Sequence, residues 1–167
     1  LQALTSSSIA AIPTATVAAI STSQISNFNA SQIDALTSSQ INALTADQLA
    51  NLTSTQIVGL GGAGVALLTS TQISGLGSTQ VAGLGTDLIK SLTTTAIKSL
   101  TNDQISYLNS GQVAALTTAQ VKSLTSEQLN SLSAENIGAM ETADIASITT
   151  PILSSFTQIS NLSSQQI

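Results

Sequence analysis

The amino-acid sequence predicts an all-α solenoid, a superhelix of very short capped helices with one helix in each eight-residue repeat. Three observations lead to this fold: two apolar series with a period of eight, a helix-capping pattern in phase with them, and charges that fall at the predicted helix ends. The alternative is a β-solenoid, because Thr, Ile and Val favour strands. We find no domain boundary, so residues 1–167 are treated as a single octad-repeat solenoid.

The first apolar series defines position 0 of an octad whose positions we number 0 to 7. Its members are Leu4, Ile12, Ile20, Phe28, Leu36, Leu44, Leu52, Leu60, Leu68, Leu76, Leu84, Leu92, Leu100, Leu108, Leu116, Leu124, Leu132, Met140, Ile148 and Phe156. A second series occupies position 5: Ile9, Val17, Ile25, Ile33, Ile41, Leu49, Ile57, Val65, Ile73, Val81, Ile89, Ile97, Ile105, Val113, Val121, Leu129, Ile137, Ile145 and Leu153. In a continuous helix this period drifts about 80° per octad. In a continuous strand positions 0 and 5 would face opposite sides. Each octad must therefore contain a short element and a change of direction.

The polar positions identify that element as the start of a helix. Position 1 is Ser, Thr, Asn or Gly in almost every octad, and position 4 is most often Gln, as in Thr117 and Gln120. A hydroxyl followed three residues later by Gln is a capping box, in which each side chain bonds the other residue's backbone N–H. Positions 0 and 5 then become the two residues of a hydrophobic staple, which fixes how the chain enters the helix.

The few charged residues agree with this assignment. Acidic residues lie in the first turn of a predicted helix at Asp47, Asp87, Asp103, Glu127 and Glu135, and Glu141 and Asp144 lie within a residue or two of the same position. All three lysines, Lys90, Lys98 and Lys122, lie at position 6 near a predicted helix end, and only Asp34 departs from the pattern. Helix dipoles favour this arrangement by about 0.3–1 kcal/mol per charge.

Several irregularities interrupt the repeat. Glycines cluster at positions 7 and 1 between 59 and 85, where we expect the chain to leave one helix and enter the next. Pro13 lacks the capping hydroxyl and is expected to shift a helix start, whereas Pro151 fits a first turn. Two residues are missing between Phe156 and Leu162, and we expect this register slip to re-step or kink the coil.

The composition excludes many kinds of site. The chain has no His and no Cys, and its three basic residues are all lysines, so the common zinc and haem ligands, the His-based catalytic triads and the Arg fork are absent. We therefore predict no enzyme and no catalytic, cofactor-binding or metal-binding residues. The net charge of −5 argues against nucleic acid as a partner, and no apolar run is long enough for a membrane span.

Two motifs invite a more specific function. Gly59–Gly64 matches G-x-G-x-x-G, but without a preceding strand it is better explained by repeat glycines than by a dinucleotide site. The hydroxyls at positions 2 and 3, such as Ser54, Thr55, Ser78 and Thr79, form a Ser/Thr/Asn ladder that could contact glycan or ice. The position 1 hydroxyls are committed to capping.

The octads at Leu52–Ile57, Leu116–Val121 and Leu124–Leu129 resemble the L-T-x-x-Q-[IV] repeats of very large secreted bacterial adhesin-like, surface or extracellular-matrix proteins. The resemblance implies export to the cell surface or the extracellular space, and a structural role. It supplies no catalytic residues.

We expect a non-enzymatic structural module that forms a rod or a self-assembling filament, with an adhesin stalk that binds glycan or ice as the alternative. The ends carry no polar capping repeat, so the chain is expected to be a section of a longer array that associates head-to-tail or laterally. The sequence gives neither the handedness nor the number of octads per turn. With two octads per layer, about ten layers would make a rod of about 90 Å.

Overall fold

The fold is described by a computed structural model that covers residues 3–166. Within that range the chain forms nineteen α-helices of four to six residues, followed by a 3₁₀ turn, and it contains no strand. The predicted all-α solenoid with one short helix per octad is confirmed, and the β-solenoid alternative is wrong.

Most helices pack on the third helix after them along the chain, as α1 does on α4, α2 on α5 and α3 on α6. The helices therefore form three columns. The first contains α1 (Ser6–Ala10), α4 (Ala30–Asp34), α7 (Ser54–Gly59), α10 (Ser78–Ala82), α13 (Asn102–Ser106), α16 (Ser126–Asn130) and α19 (Thr150–Ser154). The second contains α2 (Thr14–Ala19), α5 (Ser38–Ala43), α8 (Gly61–Val65), α11 (Thr86–Ser91), α14 (Ser110–Ala114) and α17 (Ala134–Gly138), followed by the 3₁₀ turn Ile159–Asn161. The third contains α3 (Thr22–Ile25), α6 (Ala46–Ala50), α9 (Ser70–Ser74), α12 (Thr94–Ser99), α15 (Thr118–Ser123) and α18 (Thr142–Ser147).

Three octads therefore make one turn of the superhelix, and the expectation of two octads per layer is wrong. The reason is the change of direction at each corner, which turns the chain by about a third of a circle and not by half. Packed helices lie 8–10 Å apart, so about six turns give a rod of roughly 50–60 Å instead of about 90 Å.

The corner is made by the residue that caps each helix. Thr101, which precedes α13, has extended backbone angles (φ −71°, ψ 160°), and its side chain accepts the backbone N–H of Gln104. Leu100 before it is also extended, so two consecutive extended residues separate α12 from α13. One helical turn does not hold together alone, because helix nucleation is unfavourable. The stack of turns supplies the missing stability.

The core runs along the axis of the solenoid and is filled by the two apolar series. Leu100 at position 0 is 4% exposed and Ile97 at position 5 is fully buried. In the first turn Leu4, Ile12 and Ile20 are only partly buried. Their equivalents in later turns are buried because a preceding turn covers them.

The predicted irregularities have definite structural outcomes. Pro13 stands at a cap without a side-chain bond, yet α2 begins in register, so the expected shift is wrong. The fixed φ of proline suits this corner, where the cap residue has φ −58°. Pro151 occupies the first turn of α19, as predicted.

The sequence places the glycines at position 7 at helix ends, but the structure does not use them as left-handed helix caps. Gly83 ends its helix in a right-handed conformation with φ −82°, so no left-handed cap requires it. A Cβ built on Gly83 would lie 2.5 Å from the Cβ of Ser54, and one on Gly59 would lie 2.7 Å from the carbonyl oxygen of Ala30. These glycines allow stacked turns to approach each other closely. Gly61 alone among residues 3–166 has a positive φ, of 63°, where α8 follows α7 without an extended corner.

Candidate structural site: glutamine spines along the solenoid

The glutamines at position 4 connect each turn to the preceding one. Gln104 is 4% exposed. Its Oε1 accepts the N–H of Thr101 at 2.8 Å, as the capping box predicts. Its Nε2 donates to the carbonyl oxygens of Ile73 at 2.9 Å and Leu76 at 2.7 Å, both in the preceding turn. The sequence pattern indicated the first bond and gave no sign of the other two.

These bonds join side-chain and backbone amides into continuous hydrogen-bonded chains. The peptide group between Leu100 and Thr101 donates its N–H to Gln104, and its carbonyl accepts Nε2 of Gln128 at 2.7 Å. The same alternation recurs from turn to turn in the first column. Five glutamines take part in this spine: Gln32, Gln56, Gln80, Gln104 and Gln128.

Every hydrogen bond in a spine has the same direction. Each Nε2 donates toward an earlier turn, and each corner carbonyl accepts from a later turn. The amide dipoles are therefore aligned along the rod, and aligned hydrogen bonds strengthen one another. The side-chain amides perform for stacked helices the function that backbone ladders perform for stacked strands.

The spines of the other two columns are interrupted. In the second column the equivalent positions hold Gly64 and Leu88, which have no side-chain amide. Asn136 donates Nδ2 to Leu108 O at 2.6 Å, but it forms no capping box. In the third column Ala96 breaks the chain.

Asp144 is a second interruption of the third column. It occupies the glutamine position, is 2% exposed, and is the one acidic side chain buried within residues 3–166. Its Oδ1 accepts the hydroxyl of Thr118 at 2.8 Å. Aspartate lacks the side-chain amide N–H that glutamine donates to the preceding turn. The capping residue of its helix is Glu141, whose side chain makes no cap bond.

The predicted register slip shortens one turn, and glutamines after it still bond the preceding turn. Before the slip each glutamine bonds the carbonyl 28 residues earlier, as Gln128 does with Leu100. After it, Gln158 donates to Leu132 and Gln166 to Met140, each 26 residues earlier. The coil is re-stepped by the two missing residues, which is one of the two outcomes that the sequence analysis allowed.

Most charged side chains lie where the helix dipoles favour them, and Asp34, the last residue of α4, is the exception. Acidic residues occupy the first turns of α6, α11, α13, α16 and α17, and the lysines occupy the last turns of α11, α12 and α15. The backbone N–H of Glu127 and the hydroxyl of Thr125 lower the pKa of the Glu127 carboxyl.

The glycine motif is not a dinucleotide-binding loop. Gly59 ends α7 and Gly61 begins α8, so a helix precedes the motif where a dinucleotide site requires a strand. Shallow grooves occur at both ends of the rod. One of about 400 Å³ is lined by α18 and the segment after α19, and one of about 320 Å³ is lined by Ile12, Thr16, Ala19, Ile20 and Gln24.

The chain belongs to the ALTTAQ repeat family. The family model matches at residues 9–46, 17–54, 29–62, 89–118 and 113–142, which together are more than half of the chain. The six letters of the family description occur unchanged at Ala115–Gln120. Residues 1–8, 63–88 and 143–167 are not matched; the second stretch contains several of the repeat glycines, and the third contains Asp144 and the register slip.

No curated protein and no solved structure gives a significant match to the chain. Within residues 3–166 every helix is too short to cross a bilayer. The family and the fold together define a structural repeat region.

Proposed function

We propose that the chain is a non-enzymatic structural module of a secreted or cell-surface protein, and that it forms a rod which assembles into filaments. The observation that carries the proposal is the glutamine spine of the first column. The spine uses the buried glutamine of successive turns to hold the rod together, so the recurring glutamine of the octad has a structural role. The resemblance to repeats of secreted adhesin-like proteins supports the location.

The weak surface charge also favours association between rods. Three lysines and eight acidic residues are spread over 167 residues, so long-range repulsion between copies is small. The exposed surface is dominated by short hydroxyl and Ala side chains, which lose little conformational entropy on packing.

Electron microscopy combined with sedimentation velocity over a range of concentrations tests this function. We expect rods about 50–60 Å long at low concentration and longer particles of the same width at high concentration. Short rods of one length at every concentration would count against a filament, and a compact globular particle would count against a rod.

A second function is favoured by a row of hydroxyls on the first column. Stacking places Ser7, Ser31, Thr55 and Thr79 at the same position of successive helices, and all four are exposed. Regularly spaced hydroxyls suit an adhesin stalk that binds glycan or ice. In the next two turns Asp103 and Glu127 replace the hydroxyls, so the row has a defined end.

Glycan-array binding and inhibition of ice recrystallisation test this alternative. A variant with Thr55→Val and Thr79→Val should lose the activity, and the matched variant Thr71→Val, which lies on the third column, should retain it. Equal activity in both variants would remove the hydroxyl row as the binding surface.

A further inference from the structure

We infer that two copies of this chain pair side by side, parallel and in register, along the corner of the rod at which the third column meets the first. Across this contact the lysines of each copy face the acidic residues of the other. The inference rests on the proposed self-assembly and specifies one surface for it. The partner is a second copy of the chain, because the corner carries both halves of a complementary charge pattern.

The corner is bordered by two rows of opposite charge. Lys98 and Lys122 occupy the last turns of α12 and α15, which stack on each other in the third column. Asp103 and Glu127 occupy the first turns of α13 and α16, which stack in the first column. Because α13 follows α12 and α16 follows α15, each lysine lies just before the corner and an acidic residue lies just after it. All four residues are exposed.

The two rows match turn by turn, which helix dipoles alone do not require. Dipoles favour a lysine at the end of a helix and an acidic residue at its start, but they do not choose the helix. The two turns with a lysine before this corner are the two with an acidic residue after it, and within residues 3–166 the other turns have neutral residues at both positions. The other corners lack this match. At one of them Lys90 is followed by Thr95, and at the other Asp87 follows Ala82.

The four charges of the corner are available to another molecule. Within the part of the chain that the structure describes they form no ion pair. Stacked helices lie about 8–10 Å apart, so like charges within a row are close together, and an opposite row with the same spacing relieves their repulsion. The side chains between the rows are short, which lets two corners approach closely. They include Ser99 and Asn102 in one turn and Ser123 and Ser126 in the next.

One orientation of two rods satisfies both rows. A two-fold axis parallel to the rods places each lysine row opposite the acidic row of the second copy, so that Lys98 faces Asp103. The next turn repeats the arrangement with Lys122 and Glu127, which gives four attractive pairs. In an antiparallel pair the lysine rows would face each other. Exposed ion pairs are individually weak, so this contact fixes orientation and register more than it supplies affinity.

Charge reversal on one side of the corner tests the contact. Lys98→Glu combined with Lys122→Glu makes both rows acidic, and Asp103→Lys combined with Glu127→Lys makes both rows basic. Each variant alone should associate about tenfold or more weakly than the original chain in sedimentation velocity at low ionic strength, because attractive pairs become repulsive. An equimolar mixture of the two variants restores four attractive pairs and should form a heterodimer.

Asp87→Lys combined with Glu135→Lys is the matched control for the basic variant. These two acidic residues also lie in first turns and are exposed, but they belong to the second column, away from the corner. The change in net charge is the same, and this control should associate like the original chain. Far-UV circular dichroism of every variant should keep the helical signal.

Single cysteines test the orientation, since the chain contains no Cys. Asn102 is exposed and lies at the corner, beside the proposed two-fold axis. Asn102→Cys should therefore be joined to the same residue of the second copy by a short bismaleimide. Thr86→Cys, at the equivalent exposed position of α11 in the second column, should not be joined. A paired protein without the Asn102→Cys cross-link would refute the parallel orientation.

The outcomes separate this contact from self-assembly in general. If the original chain is monomeric at all concentrations, both the filament and the corner contact are refuted. If it assembles and the corner variants assemble equally well, or are weakened no more than the control, the corner contact is refuted while self-assembly by another surface stands. A mixture of the acidic and basic variants that forms no heterodimer refutes the contact in the same way.

Discussion

The substitution Gln104→Leu removes one glutamine from the middle of the longest spine, and its cost can be worked out from the hydrogen bonds it breaks. Leu is close to Gln in size, so the change leaves no large cavity. The carbonyl of Leu76 loses its partner in a buried place, and the N–H of Thr101 loses its partner where the structure is only part-buried. The carbonyl of Ile73 keeps a second donor, the N–H of Leu76.

Each buried polar group left without a partner costs about 1–3 kcal/mol. The buried carbonyl of Leu76 incurs this full cost and the part-buried N–H of Thr101 a smaller one, so we expect a loss of about 1–4 kcal/mol in the free energy of unfolding, reduced by the greater apolar character of Leu. We expect a clear shift of the urea midpoint followed by circular dichroism at 222 nm. Because repeat proteins can unfold in parts, amide hydrogen exchange of the two flanking turns should accompany the denaturation curve.

Gln24→Leu is the matched control for this prediction. It removes the same side chain from an exposed position that has a cap bond and no bond to a preceding turn. Its cost should be at most about 1 kcal/mol, the usual value for a cap interaction. If Gln104→Leu is as stable as the original chain, or costs no more than Gln24→Leu, the bonds between turns do not stabilise the solenoid and the reasoning fails.

Three further substitutions follow from the same structure. Asp144→Gln should raise the free energy of unfolding by about 1–2 kcal/mol by supplying the missing donor, and thermal denaturation that shows no gain would contradict this. Gly59→Ala should destabilise the fold by about 1–3 kcal/mol in a urea titration, because its Cβ would meet the backbone of Ala30. Gly138→Ala is the control: a Cβ there meets no neighbouring turn within 4 Å, so it should stabilise by about 0.4–1 kcal/mol. Thr101→Val removes a cap acceptor and should cost about 1 kcal/mol, and a neutral result in that titration would show that the Gln104 half of the box suffices.

The local structure could be predicted because it depends on residues close together in the sequence. A capping residue, its glutamine and the two apolar residues of the staple span six positions, and Leu116 to Val121 are one example. Interactions within about six residues also account for three other features. These are the burial of positions 0 and 5, the location of charges at helix ends, and the absence of strands in residues 3–166.

The arrangement of the turns could not be predicted in the same way. Whether two or three octads close a turn depends on the angle at an extended corner such as Thr101, and a small change in that angle accumulates around the coil. The need for Gly83 depends on Ser54, which is 29 residues away in the sequence. A single sequence does not identify pairs at that separation until the number of residues per turn is known.

The sequence by itself therefore determined the repeating unit: a short capped helix in every octad, an apolar axis and charges at helix ends. Only the tertiary structure decided that three units make a turn and that the buried glutamines at position 4 are shared between two turns. The physical reason is that Gln104 has two functional groups with partners at different ranges. Its oxygen bonds a residue three positions away, and its nitrogen bonds one 28 positions away, which stacking alone brings within reach.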